Sequence, residues 1–415
     1  MVDKIDVAPV WSGHSVGFCL LTYGDDQFAT FYDKDRQMTL AQRKLNERTW
    51  KLTKLPQKVG WDSHNYITMA VDNNGYLHLC GNMHVNPLVY FRSKKPLDIS
   101  EMINVGHMVG TQEEHVTYPR FMNGPNTELI FTYRDGKSGS GNQIYNVYNE
   151  KTQSWSRLLD KPLIDGEGKR NAYIDGPVLG PDGWYHMCWV WRDTPDCSTN
   201  HDPSYTKSPD MLHWYTSAGK LLELPITYET AEIVDHVPVR DGLINSNVRI
   251  GFDSQKRPII TYHKYDKDGN TQIYDARLES GVWKTHRITD WKYRWWFEGG
   301  RSIQSEIGLS AVMPYGPGKI AQTFSHKKYG SKRLVIDEQT MQIVSNTKTE
   351  SAIIRKPEGN FPGLMVKTGN DIGKCSEDGV RYMLCWETLG ANYDKPREGE
   401  MPPPSMLRVY KIKKS

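Results

Sequence analysis

One pattern of short apolar segments recurs seven times along the chain and restricts the fold class more than any other feature. Each unit contains a strand, a turn with Asp, Asn or Gly, a second strand, a polar loop, and a third strand that often ends near Trp. The second-strand segments begin at residues 27, 76, 128, 184, 257, 319 and 381, and read QFATFYD, YLHLCGN, ELIFTYRD, WYHMCWVWRD, RPIITYHKYD, KIAQTFSH and RYMLCWE. Because amphipathic helix patterns are almost absent, the chain is predicted to be all-β.

The spacing of the units favours a β-propeller over other repeat architectures. Intervals of roughly 50 to 70 residues suit four-stranded antiparallel blades with loops of variable size, and do not suit helical solenoids. We therefore predict a seven-bladed propeller that occupies residues 1–415 as a single domain, with a sandwich or a parallel β-helix as the alternative. We expect the segment DVAPVW to share a blade with the C-terminal segment MLRVYKIK, since this pairing removes exposed sheet edges.

Composition narrows the class of partner. The formal charge of +3 is dispersed along the chain, which gives no reason to expect nucleic acid or a membrane surface as a partner. The 13 Trp and 23 Tyr, against 10 Phe, suit stacking on sugar rings, although aromatic-rich β-structure explains them equally well. The six Cys lack the spacing of a disulfide framework and are interpreted mostly as buried thiols. We expect a monomer that is secreted or periplasmic, with its signal peptide absent from this sequence.

Polar residues recur at equivalent places in successive units. The innermost strand of a propeller blade runs along the central axis and the second strand returns, so the start of the first and the end of the second share one rim. A single rim His or Tyr is more often a loop anchor than a catalyst, but recurrence in adjacent units favours a functional site. The residues that this rule places on one rim are His14, His64, His84, Tyr118, Arg134, Tyr173, Arg192, His263, and Asn245 or Asn247.

These residue types suit β-elimination next to a uronate. That reaction needs a cation beside the carboxylate, a base for the C5 proton and an acid for the departing oxygen, which Arg, His and Tyr can supply. Hydrolysis would instead use two facing carboxylates. Asp135 and Asp193 follow the two rim arginines, so a glycoside hydrolase stays an alternative, as does a glycan-binding propeller without catalysis.

A second group of residues suggests a structural metal. Cys197 and His201 lie four residues apart, with His213 and His236 further along the chain. Thiolate and imidazole ligands at this spacing could hold zinc if two further ligands converged, and calcium is a second candidate. A capped loop with a buried thiol is the simpler reading. The elimination itself requires no cofactor.

Three stretches of the sequence resemble the seven-bladed propeller lyases that include ulvan lyases. They are DSHNYITMAVDNNGYLHLCGNMHVNPLVYFRS, TYPRF with FTYRDGKSGSGN, and WVWRDTPDCSTNHD. His64 and His84 stand 20 residues apart, and Tyr118 and Arg134 stand 16 apart, which are the spacings of that family. The resemblance implies that these four residues form the catalytic group. From their positions on the same rim, we expect His14, Tyr173, Arg192 and His263 to bind substrate.

Four further phrases resemble one branch of that group. APVWSGH, RQMTLAQRKL, KVGWDSHN and GEGKRNAY are most similar to enzymes that act on L-rhamnose α-1,4-linked to D-glucuronate, described as lyases or as α-L-rhamnosidases. The resemblance implies an acidic polysaccharide substrate, the rhamnose-capped side chain of arabinogalactan or gum arabic. It also implies the products of a lyase: L-rhamnose and a 4,5-unsaturated glucuronate. His14 is retained as a rival catalytic residue, because members of the branch differ in their essential histidine.

Overall fold

The computed structural model describes residues 3–348 and 356–413. Within these ranges the strands form seven sheets of four to six strands, and each predicted second-strand segment lies in a different sheet. The helices of the described chain are two 3-10 turns, Cys197–Thr199 and Asn245–Asn247, and none is long and apolar enough to cross a membrane. The prediction of an all-β chain is confirmed.

We number the sheets 1 to 7 in chain order, and give their strands as they follow one another along the chain. Sheet 1 contains Cys19–Gly24, Asp26–Tyr32, Gln37–Lys44, Lys51–Lys58 and, in parallel pairing, Lys374–Cys375; sheet 2 contains Ile67–Val71, Leu77–Gly81, Tyr90–Lys95 and Asp98–Asn104; sheet 3 contains His84–Asn86, Val116–Asn123, Leu129–Lys137, Ser140–Asn149, Ser154–Arg157 and Ile164–Asp165; sheet 4 contains Asn171–Leu179, Tyr185–Arg192, Asn200–Ser208 and Glu232–Ile233. Sheet 5 contains Arg249–Phe252, Pro258–Tyr265, Thr271–Glu279 and Val282–Arg287; sheet 6 contains Ile307–Leu309, Met313–Pro314, Lys319–His326, Gly330–Asp337 and Ile343–Lys348; sheet 7 contains Asp3–Val10, Leu364–Asn370, Val380–Leu389 and Ser405–Lys413.

Sheet 7 joins the two ends of the described chain. Asp3–Val10 pairs antiparallel with Ser405–Lys413, and Ile5 lies opposite Val409. The predicted pairing of the first and last strands in one sheet is therefore confirmed. The sequence from Cys19 to Lys348 forms the other six sheets in order, and Lys374–Cys375 later adds a parallel strand to sheet 1.

The hydrophobic core lies between the sheets. Six clusters of buried apolar side chains each join two consecutive sheets, from the pair formed by sheets 7 and 1 to the pair formed by sheets 5 and 6. Trp189 of sheet 4 and Ile130 of sheet 3, for example, belong to one such cluster. Sheets 7, 1, 2, 3, 4, 5 and 6 thus pack on one another in that order.

Burial changes across each sheet and explains the apolar runs in the sequence. Every residue of the second strand Tyr185–Arg192 is buried, because this strand is covered on both faces by neighbouring sheets. The outermost strand of sheet 6, Ile343–Lys348, is exposed throughout. A strand that is covered on both faces, as Tyr185–Arg192 is, can be almost entirely apolar in sequence.

The hairpin turns repeat as well. Four Asp side chains each accept hydrogen bonds from the backbone N–H groups two and four residues further on, and these are Asp33, Asp72, Asp253 and Asp266. Such carboxylate-capped turns fix the hairpins locally. The same turn thus recurs in sheets 1, 2 and 5, after the first strand at Asp72 and Asp253 and after the second strand at Asp33 and Asp266.

Candidate active site

One cavity of about 780 Å³ collects side chains from all seven sheets. In sheets 1 to 6 these residues lie near the start of the first strand or the end of the second, where the sequence rule places a common rim; in sheet 7 some lie within a strand. One residue per sheet, in sheet order, is Ser15, His64, Tyr118, Arg192, Asn245, Ser302 and Lys367. A single space that touches every sheet is the natural place for a ligand.

Two histidines share one carboxylate at this cavity. Nδ1 of His64 lies 2.7 Å from Oδ1 of Asp62, and Nδ1 of His84 lies 2.5 Å from Oδ2 of the same residue. The two imidazole rings stack with centroids 4.0 Å apart. Burial raises the pKa of the Asp62 carboxyl, but the hydrogen bonds from the two histidines outweigh it and hold that pKa well below its usual range. A carboxylate bound to Nδ1 fixes the tautomer that leaves Nε2 free as a base.

The local backbone explains how the second histidine reaches the first. The loop after Leu77–Gly81 crosses to sheet 3, where His84–Asn86 pairs with Val116–Asn123 and His84 lies opposite Thr117. The amide of Val85 donates to the Thr117 hydroxyl at 2.8 Å. His84 therefore lies beside the strand that carries Tyr118, although it follows the sheet 2 strand in sequence.

Tyr118 occupies a strained position at a break in its strand. The pairing register shifts between Thr117 and Arg120, and Tyr118 has a φ of +57°. Such a conformation is costly for a bulky residue and persists only where the surrounding structure holds it. The ring lines the cavity 5.8 Å from the His64 ring, and burial raises the pKa of its hydroxyl, so the phenol is protonated at neutral pH.

Two guanidinium groups flank a second phenol behind Tyr118. Nη1 of Arg134 lies 3.4 Å from the Tyr173 hydroxyl, and Nη1 of Arg192 lies 3.3 Å from it. Burial raises the pKa of the Tyr173 hydroxyl, but the two positive charges outweigh it and lower the pKa below its usual value. The Arg134 guanidinium also lies 5.0 Å from the centre of the Tyr118 ring. Its side chain is buried, and its Nη2 has no hydrogen-bond partner in the described chain.

The cavity wall carries positive charge and aromatic surface. Arg192, Arg301 and Lys367 line it, and no Asp or Glu is among its lining residues in the described ranges. Burial lowers the pKa of the Lys367 ammonium, as expected for a charge that is partly removed from water. Trp295 and Trp386 supply flat apolar faces. This combination suits an anionic ligand with sugar rings.

Five rim residues from the sequence rule do not line the cavity, and they are His14, His84, Arg134, Tyr173 and His263. Two of these histidines lie deepest behind the wall. His263 is completely buried, 5.4 Å from the Trp295 ring, and burial lowers its pKa to about 4, so its imidazole is neutral. His14 is buried between Trp11 and Trp61, with Nε2 3.8 Å from Oδ1 of Asp394. Neither lines the cavity. In this arrangement neither side chain is in direct contact with the cavity.

The suggested metal ligands do not converge. Nδ1 of His201 lies 2.9 Å from Asp202 and Nε2 lies 3.1 Å from Asp193, so carboxylates take both ring nitrogens. Cys197 is buried in the apolar cluster between sheets 5 and 6, and burial raises its pKa. The residues in this arrangement do not fit a zinc site. In residues 3–348 and 356–413 the single group with three ligand atoms within 4.8 Å of one another is Asp62, His64 and His84.

Four residues that sequence reasoning did not select complete the site. Asp62 orients both histidines, Lys367 and Arg301 add charge, and Asp394 lies behind His64 with its Oδ2 3.7 Å from Nδ1. Asp62 had a usable signal, because an Asp two residues before a candidate His can cap the turn and hold the ring. Lys367, Arg301 and Asp394 had no such signal in the sequence.

Comparison with known proteins places the chain among polysaccharide-degrading relatives. A profile described as BNR repeat-containing family member matches residues 26–291. An ulvan lyase of Alteromonas sp. (strain LOR) is 24% identical over 281 residues, which cover 60% of this chain and 55% of the relative. A second, Ulvan Lyase-PL25 of Pseudoalteromonas sp. (strain PLSV), is 22% identical over 280 residues, 59% of this chain and 53% of the relative. The chain thus matches about half the length of these curated relatives.

Solved structures share the fold over nearly the whole chain. The crystal structure of the polysaccharide lyase Uly1 has a TM-score of 0.64 at 14% identity and covers 99% of both chains. A PL25 ulvan lyase bound to -[GlcA(1-4)Rha3S]- has a TM-score of 0.63 at 13% identity, over 99% of this chain and 96% of the other. At such identities the likeness establishes the fold.

Proposed function

This chain belongs to the BNR repeat-containing family, and from that premise we propose that it is a polysaccharide lyase that cleaves an acidic polysaccharide by β-elimination. We also propose that its seven sheets are the blades of one closed propeller. The consecutive packing of the sheets, the shared sheet at the chain ends and the cavity that touches every sheet support this closure.

The observation that carries the proposed reaction is the pair of histidines held by Asp62 beside a protonated phenol. His64 lines the cavity, so we assign it as the base, with the free Nε2 facing substrate. His84 stacks on His64 and shares its carboxylate, which restricts the orientation of the ring. Tyr118 is the acid, because its hydroxyl keeps its proton at neutral pH and its ring lines the same cavity.

The elimination moves one proton from substrate to His64 and one proton from Tyr118 to the leaving group. His64 takes the C5 proton of the uronate, the C5–H electron pair forms the C4=C5 double bond, and the C4–O bond breaks. Tyr118 gives its proton to the departing oxygen. For a glucuronate the C5 proton and the C4 oxygen lie on the same side, so base and acid must be neighbours. The 5.8 Å separation of the His64 and Tyr118 rings meets that condition.

Charge stabilisation is assigned to the two guanidinium groups beside Tyr118 and Tyr173, of which Arg192 lines the cavity and Arg134 is buried behind it. The uronate carboxylate gains negative charge as the C5 proton leaves, so a nearby guanidinium stabilises the transition state more than the ground state. We assign this role to Arg134, whose Nη2 has no protein partner, with Arg192 at the cavity surface beside it. A buried guanidinium nitrogen without a partner is costly unless a ligand satisfies it.

Hydrolysis fits the site less well. It would require two carboxylates that face the bond, whereas no Asp or Glu lines the cavity in the described chain. Asp62 is engaged by His64 and His84, and Asp394 by Ser63 and Ser302. Both carboxylates therefore serve the surrounding groups.

For the substrate we propose L-rhamnose α-1,4-linked to D-glucuronate, as in arabinogalactan or gum arabic side chains. Support comes from the sequence phrases that resemble this branch, and from the aromatic and cationic wall, which suits a uronate with a neutral sugar. The released product would be L-rhamnose, and the retained product a 4,5-unsaturated glucuronate.

The test is a product analysis with gum arabic and with ulvan. From gum arabic we expect equal molar amounts of free rhamnose and of unsaturated uronate, the latter measured by its ultraviolet absorbance. Rhamnose without that absorbance would identify a hydrolase, and binding without either product a lectin. If only ulvan yields this absorbance, the protein is a lyase, but the proposed rhamnose–glucuronate linkage of gum arabic is not its substrate.

Lys367 offers a test of the charged wall. We expect Lys367→Met to raise KM for the acidic polysaccharide by about tenfold with little change in kcat, because its ammonium attracts the substrate chain equally before and during the reaction. Lys319→Met, an exposed lysine of sheet 6 outside the cavity, is the matched control. Equal KM values for both variants and the parent, measured at low salt, would show that Lys367 does not contact substrate.

A further inference from the structure

Asp394 lies in the loop between Val380–Leu389 and Ser405–Lys413 and binds two loops from other sheets. Its carboxylate accepts the Ser63 amide at 3.1 Å and the Ser302 amide at 2.9 Å. The Ser302 hydroxyl donates to it as well, at 2.8 Å. Only 6% of the Asp394 side chain is exposed. These contacts join residues 331 and 92 positions apart in sequence, from the loops before sheets 2 and 6.

The two serines also contact each other, through a hydrogen bond between their hydroxyl groups. Ser302 lines the cavity, as does Ser63, which directly precedes His64. The three loops therefore form one hydrogen-bonded clasp, defined by Ser63, Ser302 and Asp394, at the edge of the cavity. His64 is attached to this clasp through its own backbone.

The charge of Asp394 reaches the histidines as well. Burial raises the pKa of its carboxyl, but contacts with His14 and Ser302 outweigh it and set the pKa at about 2, so the group is a carboxylate at neutral pH. Its Oδ2 lies 3.7 Å from Nδ1 of His64, on the nitrogen that also faces Asp62. The imidazole thus stands against two carboxylates that both favour the Nδ1–H tautomer.

The backbone is strained to make these contacts. Tyr393 and Asp394 both have a φ of +53°, and two successive non-glycine residues in the left-handed region are uncommon. Such strain persists only where the surroundings compensate it. Here the compensation is the set of hydrogen bonds from Ser63 and Ser302.

We propose that Asp394 is a positioning residue for the elimination reaction: through the clasp it fixes the loop of Ser63 and His64, and so the direction in which Nε2 of His64 points. The inference rests on the proposed function for its effect on catalysis. The positional effect on His64 does not depend on which substrate is cleaved. Asp394 itself does not line the cavity, so it acts through Ser63 and His64.

Two variants separate position from charge. Asp394→Ala removes every bond of the clasp that Asp394 makes, and we expect kcat to fall by about a hundredfold with KM nearly unchanged, because misplacement of a reacting group by a fraction of an ångström acts on the reaction step. Asp394→Asn keeps one oxygen for the Ser63 amide and the Ser302 hydroxyl. It should recover about a tenth or more of the lost rate.

Asp210→Ala is the matched control. Asp210 also accepts two backbone amides and a histidine, from Leu212 and His213, and its pKa is likewise lowered to about 2. It does not line the cavity. We expect this variant to lose some thermal stability and to keep the parent kcat.

A measurement made without substrate tests the positioning role of Asp394 separately from the proposed lyase function. Long-range ¹H–¹⁵N spectra report the tautomer and surroundings of each imidazole, with the His64 signal assigned from its loss in His64→Ala. We expect the His64 signal to shift in Asp394→Ala while that of His186, buried in sheet 4, does not. An unshifted His64 signal, or an unchanged kcat in the folded variant, would overturn the positioning role. If the parent protein yields no unsaturated product, the proposed function fails and the spectra alone decide the role of Asp394.

Discussion

His64→Ala is expected to lower kcat by about 10² to 10⁴ while the protein stays folded, since this is the usual contribution of a positioned general base. His64 lies at the cavity with side-chain exposure of 20%, so its loss removes little core packing. His84→Ala should also be deficient, but less so, because His84 supports the first ring and does not line the cavity. Turnover is followed by the absorbance of the unsaturated uronate.

The matched control for this prediction is His213→Ala. His213 forms the same type of pair, with Nδ1 2.7 Å from Asp210, on an exposed surface away from the cavity. It should leave kcat unchanged. If His64→Ala retains near-normal turnover and His14→Ala abolishes it, the base belongs to the loop before sheet 1 and the proposed assignment is wrong.

The fold could be predicted from the sequence because its determinants are local and repeated. Second strands such as Tyr185–Arg192 are buried on both faces, and several hairpin turns carry a capping Asp, so the repeated units are visible without knowledge of distant contacts. The pairing of Asp3–Val10 with Ser405–Lys413 followed from the need to cover sheet edges. Closure into a propeller remains a prediction that the consecutive sheet packing supports.

The candidate site could be predicted only where it follows the repeat. His64, Tyr118 and Arg192 line the cavity because the ends of inner strands converge on it. The same rule selected His263, but the loop that carries Trp295 covers that residue, and the rule contains no information on such loops. The roles of these residues stay predictions until the variants are measured.

Other parts of the site depend on contacts that no local pattern records. Asp394 meets Ser63 across 331 residues, and Lys367 lies within a strand, away from the positions that the rule considers. Cys197 belongs to a 3-10 turn and His201 to the strand that follows. Neither belongs to the group of three close ligand atoms found within the described residues, and their role in metal binding stays a prediction.

The charge-stabilising role is tested most directly by Arg134→Lys. We expect this variant to fold, to bind glucuronate-terminated oligosaccharide weakly, and to lose about 10² to 10³ in kcat, by analogy with the removal of one oxyanion donor. The guanidinium reaches the Tyr173 hydroxyl with Nη1, faces the Tyr118 ring, and keeps Nη2 free. A lysine carries the same charge at a single point, so it cannot contact the Tyr173 hydroxyl, the Tyr118 ring and the carboxylate at once.

The split between kcat and KM distinguishes this role from simple binding. Because the carboxylate gains charge only as the C5 proton leaves, the loss should fall on kcat, whereas a ground-state contact would raise KM alone. Arg157→Lys is the control, since Arg157 also lies in sheet 3 and donates to a phenol, Tyr133, at 3.0 Å outside the cavity. Near-normal turnover of Arg134→Lys together with a large loss in Arg192→Lys would transfer the uronate-binding role to Arg192, the guanidinium at the cavity surface.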